Sequence, residues 1–236
     1  MYKLPQKLTA EFLGTFVLIF IGAGSICADQ MIRASGGSGP GLLGIAVAHG
    51  LALAIMVSAV GHISGGHLNP AVTIGFWVTR RMDAMETLLY WAAQLAGGIA
   101  AAYTLRGVMP EDVWRAVRLG TPTIASDFPV MSAMILEALL TFFLVTVVFA
   151  TAVDERGAFG KIAGFAIGLT ITMDILVGGP LTGAAMNPAR TLGPALASTT
   201  WIGHGVYWVG PLFGGAVAGA LYDVVFLKRG LASPQE

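Results

Sequence analysis

The chain has 236 residues with 13 basic and 13 acidic side chains, so its formal net charge is zero. It is 56% hydrophobic and 11% charged, with a mean hydropathy of +0.77, against about 25% charged residues in an ordinary soluble domain. That composition puts the chain in the membrane class, the charge balance gives no basic footprint for nucleic acid, and the lone cysteine, Cys27, excludes an intrachain disulfide.

Lys3 and Lys7 precede a first apolar stretch over roughly 8–28. Glu11 interrupts it, and the same pattern recurs later, so it reads as a retained membrane helix rather than a cleaved signal. Five more stretches follow at roughly 41–60, 86–106, 131–152, 160–178 and 205–227, each close to the ~20 residues a membrane span needs. Breaks such as Ser35 to Gly41 and Asp154 to Gly157 separate them. Two shorter pieces, 69–78 and 187–197, reach only about 15 Å at ~1.5 Å per residue. Neither crosses a hydrocarbon core about 30 Å thick alone, but two meeting end to end would. The segment 107–130 has no legible role beyond a link that could fold over one mouth.

The chain is internally duplicated. Ser64 to Gly75 (SGGHLNPAVTIG) aligns with Thr182 to Gly193 (TGAAMNPARTLG), EFLGTF from Glu11 with EALLTF from Glu137, and YWAAQLAGG from Tyr90 with YWVGPLFGG from Tyr207. Repeats of roughly 1–107 and 131–236 within one domain, 1–236, each hold three spans and one half-helix. An odd number of spans inverts one repeat relative to the other, and inverted repeats with broken helices are a transport architecture. The expected fold is an all-α membrane protein with six tilted spans and two re-entrant half-helices. Placing both termini in the cytoplasm puts Lys3, Lys7, Arg80, Arg81, Arg156, Lys161, Lys228 and Arg229 inside, against Arg33, Arg106, Arg115 and Arg118 outside, as the positive-inside rule requires.

Each half-helix opens on Asn-Pro-Ala, at Asn69-Pro70-Ala71 and Asn187-Pro188-Ala189. Pro is tolerated in a first helical turn, where its missing N–H had no partner, and Asn is a good cap before it. Two caps meeting at mid-membrane aim two positive helix ends at one place, and each carboxamide can donate into a lumen. The non-helical stretches Gly65 to Leu68 and Gly183 to Met186 leave their carbonyls free, with those of Gly65, Gly66, His67, Gly183 and Ala185 expected to line the pore. Irregular backbone at this depth must be buried in protein or face a wet cavity. Carbonyl acceptors leading to a positive donor centre would orient water and repel cations.

The motifs AEFLGTF, SGGHLNPAV and GPLTGAAMNPAR resemble those of the aquaporin (major intrinsic protein) family over nearly the whole chain. The resemblance implies a pore in every subunit of a homotetramer, Asn69 and Asn187 as central donors, Arg190 in an outer constriction, and Glu11 and Glu137 bracing the re-entrant loops by accepting backbone N–H groups. In the family's register the other constriction positions fall on His49, Ile175 and Ala184. Water-selective members resemble one another in having an aromatic, a His and a small residue or Cys there. The set His49, Ile175, Ala184, Arg190 is instead similar to that of ammonia-permeable aquaporins, some of them from plant vacuoles. Glycerol-type members place Asp directly after the loop Arg and a basic residue four later, where this chain has Thr191 and Ala195.

His67 is expected to offer its carbonyl while its ring packs, and His62 to pack. Asp174, rotated about 100° from Ile175 on its helix, could either hydrogen-bond His49, making conductance acid-sensitive, or contact backbone or a neighbouring helix. No nucleophile–base pair, cofactor loop or metal-ligand set is apparent, so neither an enzyme nor a cofactor or metal is expected. The implied function is a passive channel in the cell membrane for water, with ammonia as a second small neutral solute, excluding protons and ions. A glycerol or urea facilitator is the alternative, and a secondary transporter a further one.

Overall fold

The computed structural model describes residues 2–157 and 162–228. Among them the chain is all-helical, with six helices long and apolar enough to cross a membrane: α1 (Leu4–Ala34), α2 (Gly41–Ser64), α4 (Ala84–Val108), α6 (Val130–Val148), α7 (Ala163–Thr182) and α9 (Val206–Tyr222). Helices α6 and α9 are each prolonged by a π-helical turn, Phe149–Val153 and Asp223–Lys228. Two short helices, α3 (Pro70–Val78) and α8 (Pro188–Ser198), fall on the two Asn-Pro-Ala triplets. The spans run up to several residues beyond their apolar cores at either end, because polar residues at a helix end face the interface rather than lipid. Lys161 and Arg229, used in the charge argument, the start of the fifth expected span at 160, and the chain's last eight residues lie outside the described residues.

The expected link at 107–130 is partly helical. Pro110 precedes α5 (Glu111–Ala116), followed by a 3-10 turn at Arg118–Gly120. Val113, Trp114 and Leu119 of this link are buried with Ala23 and Cys27 of α1. Arg106 and Arg115 each stand 4.9 Å from the Trp114 ring centroid, so a segment with no repeat counterpart is anchored by one indole and two cation–π contacts.

The halves interlock. Helix α3 of the first half packs on α9 of the second, and α8 of the second packs on α4 of the first, while α2 packs along α7. Such contacts between membrane helices need small residues, since lipid supplies no hydrophobic drive for association. A Cβ on Gly98 would stand 2.7 Å from the Ala189 carbonyl, and one on Gly219 2.9 Å from that of Gly75. Helices α2 and α7 both end on a left-handed glycine, Gly65 (φ 93°) and Gly183 (φ 84°), a conformation that costs glycine nothing. Each turn releases the chain from its span into the re-entrant loop.

Candidate functional site

The two re-entrant loops are held by the same hydrogen bonds, made twice. Glu11 of α1 is fully buried and accepts Ser64 Oγ (2.6 Å) and His67 N (3.0 Å) on Oε1, and Leu68 N (2.7 Å) on Oε2. Glu137 of α6, equally buried, accepts Thr182 Oγ1 (2.6 Å) and Ala185 N (3.0 Å) on Oε1, and Met186 N (2.8 Å) on Oε2. The two hydroxyls in turn accept Gly66 N and Ala184 N, both at 3.1 Å. Tyr90 and Tyr207 donate to the carbonyls of Ser64 and Thr182 at 2.8 and 2.7 Å. A carboxylate has about four acceptor positions and no donor, so it suits a loop whose N–H groups have no helical partner and no water.

The frames differ at one place. Gln94 Nε2 gives Glu11 a further bond at 2.8 Å, and the repeat puts Pro211 at the matching position.

Each Asn serves two loops at once. Asn69 Oδ1 accepts Ala71 N at 2.8 Å, and Asn187 Oδ1 accepts Ala189 N at 2.9 Å and Arg190 N at 3.3 Å, capping α3 and α8. Asn69 Nδ2 donates to Met186 O (2.9 Å), and Asn187 Nδ2 to Leu68 O (3.0 Å). A carboxamide carries two N–H donors, so each Asn binds the halves together with one and keeps the other. Leu68 and Met186 are both left-handed at φ 51°, which turns their carbonyls toward the facing Asn. These two carbonyls end the non-helical stretches whose carbonyls the sequence left free. They are acceptors for the Asn amides, and Met186 lines the lumen together with Gly66, His67, Ala184 and Ala185.

An internal cavity passes both Asn residues, and its wall follows the duplication. Leu18 faces it with Leu144, Leu53 with Ile171, Val57 with Ile175, Gly66 with Ala184 and His67 with Ala185, each pair holding matching places in the repeats. Two pairs break the likeness: His49 matches Ile167, and Arg190 matches Val72. The four positions His49, Ile175, Ala184 and Arg190 thus share one lumen wall. Arg190 also borders a mouth lined by Gly183, Thr121, Pro122 and Thr123, so the 107–130 link contributes residues to that mouth. Val57 borders the opposite mouth, lined by His62, Gly65, Asp154 and Glu155. Gly65 and Gly183 therefore sit at the two mouths and their neighbours in the lumen proper.

Polar chemistry concentrates at the Arg190 end. His49 Nδ1 lies 2.8 Å from Ile45 O. A carbonyl only accepts, so Nδ1 carries the proton, and Nε2 of the neutral ring is an acceptor. Arg190 is buried, and its Nη1 has no hydrogen-bond partner among the described residues. A guanidinium at this depth is tolerated where it faces a wet cavity or a partner. The ring can therefore offer a lumen occupant one acceptor and one fixed donor between apolar walls.

The remaining expected residues fall elsewhere. The His67 ring packs 4.1 Å from Phe76 and 5.3 Å from Tyr90, with Nδ1 3.1 Å from Thr73 Oγ1. His62 meets Tyr2 edge to face at 5.8 Å and borders the mouth. Asp174 makes no hydrogen bond to His49, whose Nδ1 is taken by Ile45, and it is not a lumen residue. Its Oδ2 is buried without a hydrogen-bond partner among the described residues, and the carboxyl group it interacts with is Glu137 of α6. The helical rotation that puts Ile175 on the lumen turns Asp174 away from it.

Outside the spans, Asp154 and His204 titrate below their ordinary values. The Arg156 guanidinium, bonded to both Asp154 oxygens at 2.7–2.8 Å, holds that carboxyl down at about 2. Burial lowers His204, whose Nε2 accepts Trp208 Nε1 at 3.1 Å.

This geometry coincides with a family-level match. The profile described as "Major intrinsic protein" matches residues 2–222. Aquaporin TIP4-4 of Zea mays is 42% identical over 232 residues, covering 97% of this chain and 90% of that protein. Probable aquaporin TIP1-1 of Oryza sativa subsp. japonica is 45% identical over 223 residues, covering 93% and 86%. Among solved structures, the aquaglyceroporin from Plasmodium falciparum superimposes with a TM-score of 0.82 at 26% identity, covering 98% of this chain and all of that one. A twice-built Asn-Pro-Ala loop frame inside six membrane-crossing helices, matched along nearly the whole chain, makes this protein a multi-pass member of the major intrinsic protein family of aquaporin-type channels.

Proposed function

We propose that this channel conducts water and ammonia and excludes protons and other ions. The observation that carries the reading is the pairing, on one lumen wall, of His49, whose Nε2 is left an acceptor, with an unpartnered donor on Arg190, among the apolar side chains of Ile175 and Ala184. Water and ammonia each donate and accept, so both can satisfy such a pair as they pass. Arg190 and the two helix N-termini at Asn69 and Asn187 present positive potential to the lumen, which disfavours cations. The spare N–H of each Asn supplies a donor at the centre, flanked by the carbonyls of Gly66, His67, Ala184 and Ala185.

Glycerol conduction has one observation in its favour, the likeness to a protein described as an aquaglyceroporin. Thr191 and Ala195 argue against it. Both are fully buried, and Thr191 Oγ1 bonds back to Asn187 O at 3.3 Å, so neither presents a charged group. Stopped-flow shrinkage and swelling of proteoliposomes in water, ammonia, urea and glycerol tests the ranking. Water and ammonia rates above empty vesicles, with glycerol at the control, is the expected result. A glycerol rate well above control with no gain for water would overturn it.

The same reading includes a homotetramer in the cell membrane with both termini cytoplasmic. Mass measurement in detergent, with the detergent contribution subtracted, should give four copies. Protease accessibility of the chain's ends in oriented vesicles checks the orientation.

A further inference from the structure

The His49 imidazole lies directly against Gly22 of α1. A Cβ built on Gly22 would stand 2.5 Å from both Cδ2 and Nε2 of the ring and 3.1 Å from Cε1. Separations of 2.5 Å fall below any real carbon contact, so no side chain fits at position 22 while the ring stays in place. The ring cannot simply swing aside, because Nδ1–H is tied to Ile45 O at 2.8 Å. In the other repeat the matching pair is Val148 on α6 and Ile167 on α7, both lumen residues with full side chains. The duplication thus shows what the wall holds where no imidazole must be fitted: two branched aliphatic residues. Where His49 occurs, the facing side chain is reduced to hydrogen. Other glycines of the same helix are not under this constraint: a Cβ on Gly24 would meet only Leu105, at an ordinary 3.4 Å.

We infer that Gly22 is a specificity-determining position of this channel: it opens the slot in the lumen wall that seats the His49 ring, and so sets both the width of the passage beside Arg190 and the direction of the Nε2 acceptor. The inference rests on the reading of His49 as a wall of the constriction. A methyl group at position 22 leaves the ring two ways out. It can tilt into the lumen, or it can release Ile45 and lose the tautomer that keeps Nε2 an acceptor. Either narrows the passage or removes its acceptor. The solute that depends most on both, ammonia, suffers before water does.

The test is the ratio of ammonia to water permeability in proteoliposomes carrying equal amounts of folded protein. Gly22→Ala should lower that ratio about tenfold, the lower end of what one misplaced methylene costs in a fitted site. Gly24→Ala should leave it unchanged. Gly22→Ala combined with His49→Ala should recover the permeability of His49→Ala alone, because the ring that the methyl displaces is gone. A Gly22→Ala channel with the wild-type ratio would overturn the inference, as would a folded double variant as impaired as Gly22→Ala. If Gly22→Ala does not fold but the double variant and His49→Ala do, the methyl is intolerable only in the presence of the ring, which supports the slot. If neither Gly22→Ala form folds, the space serves another contact and the inference fails. Should the wild-type protein raise no ammonia flux at all, the solute reading fails separately. Gly22 is then judged on water and urea rates, where loss in Gly22→Ala and recovery in the double variant remain the expected pattern.

Discussion

The loop that carries Asn69 and the loop that carries Asn187 are the same object in backbone hydrogen bonding and different objects in what they show the lumen. In both, a buried glutamate takes a hydroxyl and two successive backbone N–H groups, a tyrosine holds the preceding carbonyl, and an Asn cap bonds across to the other loop. Toward the lumen, Val72 becomes Arg190 and His49 becomes Ile167. The duplicated frame makes a passage, and the two departures on its wall, His49 and Arg190, gathered at one end, give that passage its chemistry. Changes to the frame should therefore cost the fold, and changes to the departures should cost selection.

The largest effect should come from Glu137→Ala. It leaves Ala185 N and Met186 N buried without an acceptor and Thr182 Oγ1 with only the 3.4 Å contact to Gly178 O, at about 1–3 kcal/mol for each lost partner. A fall in apparent melting temperature on the order of 10 °C, at roughly 2–4 °C per kcal/mol, is expected in detergent, together with loss of all channel activity. Retained melting temperature would show that the frame is not what holds the loops.

Arg190→Val gives the second loop the residue of the first. It should leave folding intact, because a valine stands at the matching place, while removing the fixed donor and charge at one end of the lumen. Water flux should persist. A cation or proton leak above the empty-vesicle level should appear, and glycerol entry should rise about tenfold, the factor that a charged hydrogen bond of ~1.5–3 kcal/mol governs at its low end. Tight exclusion of protons by the variant would move the barrier from Arg190 to the two Asn caps.

Gln94→Leu sharpens the comparison from the other side, by giving the first frame the polarity of the second. Gln94 Nε2 donates to Glu11 at 2.8 Å and to Thr73 at 3.0 Å, but its Oε1 is buried without a partner among the described residues. The lost bonds and the removed orphan acceptor offset each other in part. A net loss of about 1 kcal/mol, or 2–4 °C in melting temperature, is expected. Conductance should be unchanged, since the Glu137 loop stands without this donor.

Much of this was legible in the sequence for a physical reason. Span length is set by bilayer thickness, and Asn-Pro at a helix start announces itself twice, so the six spans and the two half-helices needed no contacts to find. The lumen residues Leu18, Leu53, Val57, Ile167 and Ile171 were missed as individual residues, although carrying the 118-residue spacing outward from Asn69 and Asn187 pairs Leu53 with Ile171 and Val57 with Ile175. The link with α5 could not be read, because it has no second copy and its order comes from Trp114 packing with Ala23 and Cys27 of α1, distant in sequence, and from the flanking Arg106 and Arg115. Gly22 was invisible for a different reason. A glycine's role here is the absence of atoms beside a ring on another helix, and only the packing of α1 against α2 reveals it. Asp174 shows the converse limit: the sequence left open a bond to His49 or a contact to backbone or a neighbouring helix, and the structure has no bond to His49 and sets the carboxyl near Glu137 of α6.

The two mouths extend the comparison to pH, with the smallest effect. At the mouth lined by Asp154, the Arg156 contact holds the carboxyl at about 2. Its folded value lies below the ordinary ~3.9, so whatever it contributes is present above that pH and lost only as pH falls through about 2. At the other mouth, the 201–204 turn places Gly203 against Ile124 of the link, and burial lowers His204 below the ordinary ~6.5. The folded state there resists protonation, so stability is intact above about pH 6.5 and erodes as pH falls below it. Protonated Nε2 can no longer accept the Trp208 N–H, so acid should disturb the His204 turn while the Asp154–Arg156 pair stays closed. Tryptophan emission followed from pH 7.5 to 4 should change with a midpoint below 6.5, and His204→Gln should flatten the change. Replacing Asp154 by Asn should leave that titration where it was. A midpoint that moves with Asp154 would couple the two mouths through the length of the channel and end their treatment as separate ends.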